Sequence, residues 1–440
     1  MNYFSKLVST FFFALIFFPT FGQTDKYKLQ EYKSGGISYK SYTNDPLGAR
    51  IYTLQNGLTV YLSSYKDAPR IQTYIAVRAG SKNDPSTTTG LAHYLEHILF
   101  KGTSKIGTQN WGKEKPYLDK IESLYETYRK TKDTSLRREI YHQIDSISII
   151  ASSYSIANEY DKLLSTIGAD GTNAYTFLEQ TVYVNDIPSN QIDKWAEIEA
   201  ERFGEVVPRL FHTELEAVYE EKNKGLDQDR RKVWETMLAS LFQKSPYGTQ
   251  TTIGTIEHLK NPSISEIKKY FKTYYVPNNM AICMSGDLDY DNTIQLIERH
   301  FSKLKPGIIP PYTPIIESPI NAPIVKNIYG PDAENVSIAF RFNGIKKVEG
   351  QLASLDPYYI KMISMLLTNG QAGLIDLNLN QQQKLIGGHA YDMAFNDYSI
   401  FAMGGKPRQG QKLEEVASLL LSQLDSIKRG KFDDWLPAAL

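Results

Sequence analysis

One short segment, residues 90–100, restricts this chain more than any other, because it places two histidines and a glutamate at fixed spacing. His93 and His97 stand four residues apart, and Glu96 directly precedes the second, in the order H-x-x-E-H. On a helix both imidazoles point to one side and can reach the same metal ion. Glu96 lies on that side too, where a carboxylate can accept a proton from a metal-bound water. The segment therefore predicts a helix with a metal site on one face.

The opposite face of the same helix is apolar, which is the pattern of a helix packed on a core. The residues that gather there are Leu91, Leu95, Ile98 and Leu99. The alternative is a solvated helix that carries two unrelated histidines. The chain has only seven histidines, so the pattern would arise by chance in about one such sequence in a hundred. We therefore favour the metal site.

Length and composition indicate an ordinary globular protein of two domains. The chain has 440 residues, more than one core usually holds, and is 41% hydrophobic and 22% charged. Its 49 basic residues equal its 49 acidic ones, so charge gives no support to nucleic-acid or membrane-surface binding. Cys283 is the single cysteine, which excludes an intrachain disulfide and a multi-thiolate zinc site.

The first 22 residues have the pattern of a secretory signal peptide. Lys6 supplies the positive charge, residues 7–18 form the apolar run, and Thr20-Phe21-Gly22 offers a cleavage site before Gln23. The run is too short to cross a membrane, although an uncleaved anchor is the alternative interpretation. We expect an exported protein, periplasmic or secreted, without stable membrane insertion.

The rest of the chain predicts an α+β fold with two similar domains, each a mainly antiparallel sheet with helices packed on one face. The first covers residues 23–305 and includes a helical-hairpin insert at about 116–167. Its other predicted elements are strands at 51–54, 58–63, 71–77, 181–187 and 280–285, and helices at about 189–203, 213–242, 263–275 and 290–304.

A proline-rich linker, residues 306–323, precedes the second domain at 324–440. This domain repeats the opening strand and helix, with a strand at 336–342 and a helix to Leu367 that has Asp356 as its N-cap. It has no pair of metal ligands. It stops inside what reads as another helix, so we expect it to be truncated and non-catalytic.

A zinc site needs a third protein ligand, and the predicted helix after Thr213 offers four carboxylates. Glu214 and Glu221 are seven residues apart, so they fall within about 20° of each other on an inward-looking face. Glu216 and Glu220 fall on the opposite, solvated face. Of the inward pair, one can bind the metal and the other can support the site.

These blocks resemble the pitrilysin, insulin-degrading enzyme and mitochondrial processing peptidase family of zinc metallopeptidases. The resemblance covers most of residues 45–305, and more loosely the rest. Its motifs are the H-x-x-E-H helix with Phe100-Lys101-Gly102-Thr103, Asn173-Ala174-Tyr175-Thr176, Thr181-Val182-Tyr183, Glu214 with Glu221, Pro246-Tyr247-Gly248, Ile253-Gly254, and Tyr275-Val276-Pro277-Asn278-Asn279-Met280.

The resemblance implies a zinc metalloendopeptidase that hydrolyses peptides or unfolded protein segments by attack of a zinc-bound water. It assigns one Zn²⁺ per chain, with Glu96 as the general base and Glu214 as a supporting residue. The metal ligands that it implies are His93, His97 and Glu221. The residues that it implies pair with substrate backbone are Asn173, Ala174 and Tyr175.

The chain departs from the family pattern in two ways. The insert at 116–167 lengthens the gap between His97 and Glu221, and we expect it to leave the site intact. Family enzymes close a chamber from two halves, whereas this chain offers at most one. We therefore expect a second half, which is a C-terminal continuation, a homodimer mate or a homologous subunit. The alternative function is a non-catalytic scaffold or binding subunit of a peptidase-like complex.

Overall fold

The computed structural model describes residues 27–345 and 354–438. The predicted signal peptide lies outside these ranges. Within them, no helix combines the length and the apolar character that a membrane span requires.

The described residues form two sheets, one of eight strands and one of three. The eight-stranded sheet has the order β1-β2-β3-β4-β8-β5-β7-β6, and the three-stranded sheet has the order β10-β11-β9. The strands are β1 Leu29–Ser34, β2 Ile37–Tyr42, β3 Arg50–Thr53, β4 Thr59–Ser64, β5 Arg70–Val77, β6 Asp170–Thr176, β7 Thr181–Pro188, β8 Met280–Gly286, β9 Val336–Asn343, β10 Gly387–Ala394 and β11 Tyr398–Lys406.

The described residues form fourteen α-helices, of which the last three accompany the three-stranded sheet. They are α1 Leu91–Ile98, α2 Trp111–Lys130, α3 Thr134–Ser152, α4 Glu159–Thr166, α5 Ile192–Arg202, α6 Phe211–Leu226, α7 Asp229–Leu241, α8 Pro246–Thr249, α9 Ile256–Leu259, α10 Ile264–Tyr274, α11 Tyr290–Phe301, α12 Asp356–Leu367, α13 Leu413–Lys428 and α14 Trp435–Ala438. Short 3-10 turns at Ser81–Asn83, Ser189–Gln191 and Pro277–Asn279, and a π-helical segment at Asp376–Asn380, complete the set.

The large sheet is antiparallel except where β4 lies parallel to β8. Along β5, Ile71, Thr73 and Ile75 are buried, while the exposed Tyr74 between them points to the other face. This period of two is what a sheet covered on one side requires. Strand β6 is an outer strand that pairs with β7 alone, so its second edge is open to another strand.

Within the predicted insert, α2 and α3 form the helical hairpin and α4 follows it. Asp133 caps α3, since its side chain accepts a hydrogen bond from the Leu136 N–H at 2.8 Å. Ile121, Tyr125 and Ile140 are buried in the same core as α1. The insert therefore adds a helical layer outside the metal-motif helix.

Three details of the sequence prediction are wrong. The helix expected over residues 213–242 is two helices, α6 and α7, because Gln228 has an extended backbone between them. The segment before Arg50, for which no strand was predicted, contains β1 and β2. Strand β1 is exposed on both faces, and β2 alternates only between half-buried and exposed residues, so the apolar signal of a strand is weak in both. Asp356 is the first residue of α12 and not its N-cap, because Leu355 holds that position.

The second sheet has its own core and rests on the first unit. Helices α12 and α13 pack on it around Ile360, Leu367 and Phe401. A separate apolar cluster joins Phe242 and Tyr247 of the first unit to Phe395, Ile400 and other residues of the second. The predicted α+β class with two sheet-and-helix units is confirmed, and no helix or strand interrupts the connection over residues 302–335.

Candidate metal centre

A buried aspartate fixes the start of the metal-motif helix α1. The Asp84 carboxylate accepts hydrogen bonds from the Gly90 N–H at 2.7 Å and the Ala92 N–H at 3.0 Å, donors that the first turn of a helix leaves free. Burial raises the pKa of Asp84 to about 8, against the opposing effect of these hydrogen bonds. Gly90 has a φ of +88°, and a Cβ there would lie 2.6 Å from the Ile253 carbonyl oxygen. The helix therefore starts at one defined place against the loop that follows α8.

The two histidines and one of the two inward glutamates converge on a single point. Nε2 of His93 lies 3.6 Å, and Nε2 of His97 3.7 Å, from the same Oε2 atom of Glu221. All three ligand atoms lie within 4.8 Å of one another, and no other such group of three occurs among the residues that the structure describes. Ligands 2.0–2.1 Å from a tetrahedral zinc stand roughly 3.4 Å apart. The spacing therefore suits ligands that surround one ion.

The chemistry of these donors fits a zinc ion. Two imidazoles and one carboxylate form a set known from catalytic zinc sites, which keep a further position open. Burial lowers the pKa of His93 to about 3, and the positive charges of His97 and Arg231 act in the same direction. His93 is consequently neutral, the form that binds metal. Its buried Nδ1 has no hydrogen-bond partner among the described residues, and Nε2 is the atom that faces Glu221.

Glu214 supports the site from behind His97. Its Oε2 lies 3.4 Å from Nδ1 of His97, and its Oε1 lies 2.6 Å from Nζ of Lys101. Burial acts to raise the pKa of Glu214, but the hydrogen bonds and charges of His97 and Lys101 outweigh it and lower the pKa. A carboxylate at Nδ1 favours the tautomer that leaves Nε2 free for a metal. The structure thus places the two glutamates on opposite ring nitrogens of His97, with Glu221 at Nε2, 47% exposed, and Glu214 at Nδ1, largely buried.

Glu96 lies in the same pocket, largely buried, and is held by the last residue of β6. The hydroxyl of Thr176 donates to Oε2 of Glu96 at 2.5 Å. Burial raises the pKa of Glu96, while this hydrogen bond and the charge of His97 act in the opposite direction. A raised carboxylate pKa brings the group closer to neutral pH, where a general base is most effective.

The open edge of β6 forms one wall of this pocket. The cavity has a volume of about 380 Å³. Besides the three motif side chains of α1 and Glu221, it is lined by Ala174, Tyr175, Thr176, Arg231, Thr252 and Ile253. Asn173, the remaining residue that the resemblance assigns to substrate binding, lies on the same strand outside the lining, where its side chain accepts from the Ala174 N–H at 2.9 Å.

Four residues of the site were not assigned a role by sequence reasoning. Asp84 could have been noticed as an acidic residue shortly before a helix, and Lys101 as the basic residue one turn beyond His97. Thr176 was part of a recognised motif, but nothing in the sequence indicated that it reaches Glu96. Arg231 gave no signal at all, because its place depends on the break between α6 and α7.

Comparison with known sequences supports a relationship over both units. Residues 59–114 match the family described as "Insulinase (Peptidase family M16)", and residues 263–437 match the "Peptidase M16 inactive domain". The zinc protease PqqE of Helicobacter pylori is 23% identical over 392 residues, which are 86% of this chain and 74% of that protein. Bovine insulin-degrading enzyme is 25% identical over 287 residues, which are 63% of this chain and 23% of that enzyme.

A subunit of a processing peptidase is also among the relatives. The probable mitochondrial-processing peptidase subunit beta of Arabidopsis thaliana is 23% identical over 257 residues, 58% of this chain and 39% of that subunit. The chain therefore spans less than half the length of some of its relatives. The name of the Arabidopsis relative marks it as one subunit of a larger peptidase.

Solved structures show the same fold. A protease from Helicobacter pylori superposes with a TM-score of 0.66 at 21% identity, over 88% of this chain and 82% of that one. Pitrilysin superposes with a TM-score of 0.63 at 17% identity, over 93% of this chain and 39% of that one. Together with the two matched family regions, these likenesses confirm the resemblance read from the sequence: the chain belongs to the M16 family of peptidases, whose relatives include zinc proteases.

Proposed function

We propose that this chain is a zinc-dependent endopeptidase that hydrolyses peptides or unfolded protein segments. The observation that carries the proposal is the convergence of His93, His97 and Glu221 on one point, with Glu96 in the same pocket. These three residues would hold one zinc ion, and Glu214 would keep His97 oriented. The name "inactive domain" belongs to residues 263–437, which contain none of these side chains.

The outer strand β6 is suited to hold an extended peptide. A peptide that adds to its open edge exchanges backbone hydrogen bonds with the strand, and the Ala174 N–H, now bonded to the Asn173 side chain, becomes one of its donors. Tyr175, whose side chain is exposed, is also among the residues that line the pocket. Because β6 ends at Thr176, which binds Glu96, the strand sets the position of a bound peptide relative to the base.

When bound, zinc acts as a Lewis acid and makes water a stronger nucleophile at neutral pH. Glu96 would accept the proton of the attacking water and then return it to the leaving amine. Thr176 occupies Oε2 of Glu96 and fixes the plane of the carboxylate, which leaves Oε1 for the proton. The partial burial of Glu96 keeps its basicity above that of a fully solvated carboxylate.

The expected export and second half belong to the same proposal. Residues 1–22 would direct the chain out of the cytoplasm, and the mature protein would act in the periplasm or outside the cell. The open edge of β6 and the cavity beside it would be closed by a second half, which is a continuation of the chain, a second copy or a homologous subunit.

Replacing the base tests the proposal directly. We expect E96Q to bind about one zinc per chain, measured by elemental analysis, yet to lose at least about 100-fold in kcat on quenched-fluorescence peptides. E220Q is the matched control, because Glu220 is exposed on the opposite face of α6. Normal turnover by E96Q would show that the base is wrongly assigned. A folded wild-type chain that neither retains nor takes up zinc would favour a non-catalytic scaffold.

A further inference from the structure

One cationic side chain among the described residues, Arg231, lines the metal pocket beside groups that are acidic or metal-binding. It is the third residue of α7, just beyond the break that follows α6. Its charge reaches His93, where it adds to the lowering of the pKa by burial. The pocket wall therefore has a positive group that neither zinc binding nor proton transfer uses.

The last turn of α6 leaves space for this guanidinium. Gly225 stands four residues after Glu221, so it lies one turn further along the same side of the helix. A Cβ at Gly225 would lie 2.9 Å from Cζ of Arg231, and closer still to Nη1. Gly225 is not among the residues with a positive φ, so the backbone does not require glycine there. The missing side chain instead leaves room for the guanidinium against the last turn of α6, in the wall of the metal pocket.

The charge of Arg231 is only partly balanced. Its Nε donates to Oε1 of Glu235 at 3.2 Å, and Nζ of Lys222 lies 3.7 Å from the same oxygen. One carboxylate thus serves two cations, which leaves the group with a net charge of +1. The two terminal nitrogens of Arg231 make no hydrogen bond to the residues that the structure describes. They are a planar pair of donors, the arrangement that binds a carboxylate with two parallel hydrogen bonds.

We propose that Arg231 recognises a carboxylate of the peptide close to the bond that is cleaved. The inference rests on the proposed function, because it places the peptide on β6 and the scissile bond at the metal. The carboxylate comes from an aspartate or glutamate side chain or from the C-terminus of a short substrate. Arg231 is a specificity-determining residue on this assignment, and neither a metal ligand nor a base.

The role of Arg231 can be tested by measuring peptide binding to a variant that does not cleave peptides, so that the readout does not depend on hydrolysis. The zinc-loaded E96Q chain is titrated, by fluorescence anisotropy, with amidated peptides that are identical except for Glu, Gln or Lys at successive positions. A second series compares a free C-terminus with an amide. We expect the carboxylate at one position, or at the C-terminus, to tighten binding about 10- to 100-fold, since a hydrogen bond to a charged group has that worth.

Charge reversal identifies the residue responsible. In E96Q/R231Q the preference for the carboxylate disappears, and in E96Q/R231E it changes to a preference for Lys, while zinc content stays at about one per chain. E96Q/R230Q is the matched control, because Arg230 is the exposed neighbour on α7 and should keep the preference. Equal affinity for Glu and Lys peptides, absence of peptide binding, or a preference that survives R231Q would each overturn the inference.

The two proposals fail in different ways. If the E96Q chain prefers carboxylate peptides through Arg231 but the zinc-loaded wild type cleaves none of them, the endopeptidase assignment fails and the recognition site stands. If the wild type cleaves peptides with no dependence on their charge, the endopeptidase assignment stands and the role of Arg231 fails.

Discussion

Helices α1 and α12 occupy equivalent places in the two units, since each is the first long helix after a strand of its sheet, β5 or β9. The second and fifth residues of both helices are buried: Ala92 and Leu95 in α1, Pro357 and Ile360 in α12. The two helices thus use the same positions to pack on the sheet side of their units.

The difference between the helices lies on the outer face. The third, sixth and seventh residues of α1 are the metal-motif side chains. The same positions of α12 are Tyr358, Lys361 and Met362, all exposed and none a typical partner for zinc. The comparison teaches that packing and chemistry are specified by separate residues of the same helix, so a repeated fold does not bring a repeated site.

The neighbours of the two helices differ as well. Helix α1 packs against α6, which provides Glu221 and Glu214, whereas α12 packs against its own sheet, α13 and α14. A metal site therefore depends on a second helix that delivers a carboxylate to the outer face. This dependence can be tested by removing the carboxylates of α6 and by adding the motif residues to α12.

Removing the carboxylate that α6 contributes should have the largest effect on zinc. We expect E221Q to weaken zinc binding by more than about 100-fold, because losing a direct ligand should exceed the 10- to 100-fold cost of losing a residue that only supports one. The measurement is competition with a chelator of known affinity. The control E220Q changes the adjacent residue, which does not line the metal pocket, and should bind zinc as the wild type does. Equal losses in the two variants would disprove the assignment of helix faces.

Removing the support behind His97 should have a smaller effect. We expect E214Q to weaken zinc binding by about 10- to 100-fold, since the amide no longer offers a charged acceptor to Nδ1 of His97 and leaves the Lys101 ammonium without its partner. The same chelator competition measures it, with E216Q on the solvated face as the control. An unchanged affinity would mean that the ring of His97 is oriented by packing alone.

The sequence predicted those site residues whose spacing follows the period of a helix. The four-residue spacing of the histidines and the seven-residue spacing of Glu214 and Glu221 translate directly into helix faces, and the structure brings His93, His97 and Glu221 together. The predicted inward face is only partly right, because Glu214 is largely buried whereas Glu221 is exposed. It failed where position depends on a chain reversal or a tertiary contact. The Gln228 break and the seat of Arg231 beside Gly225 are set by packing between α6 and α7, which leaves no periodic trace.

The strands likewise divide into those that the sequence predicted and those that it did not. Central strands such as β5 and β8 were placed within a residue of their ends, because burial on one face gives them apolar alternation. The strands β1 and β2 were missed, because a pair at the exposed end of a sheet is stabilised by backbone pairing and by contacts such as the stacked rings of Tyr32 and Tyr39. Burial, and not strand formation itself, is what the sequence pattern reports.

Grafting the motif onto α12 should have the smallest effect and is the sharpest test of the comparison. We expect the triple variant Y358H/K361E/M362H to fold like the wild type, with a change in stability within about 0.5 kcal/mol per substitution, because all three positions are exposed. Zinc content after dialysis against a weak chelator should stay at about one per chain, since two imidazoles without a carboxylate from a second helix do not make a tight site. When E221Q is added to the triple variant, the site on α1 is weakened, so any zinc that remains reports on α12. We expect this combined variant to retain little zinc. A second zinc per chain would show that the second unit already places a third ligand within reach of α12, and that three residues alone distinguish the unit with the metal motif from its counterpart.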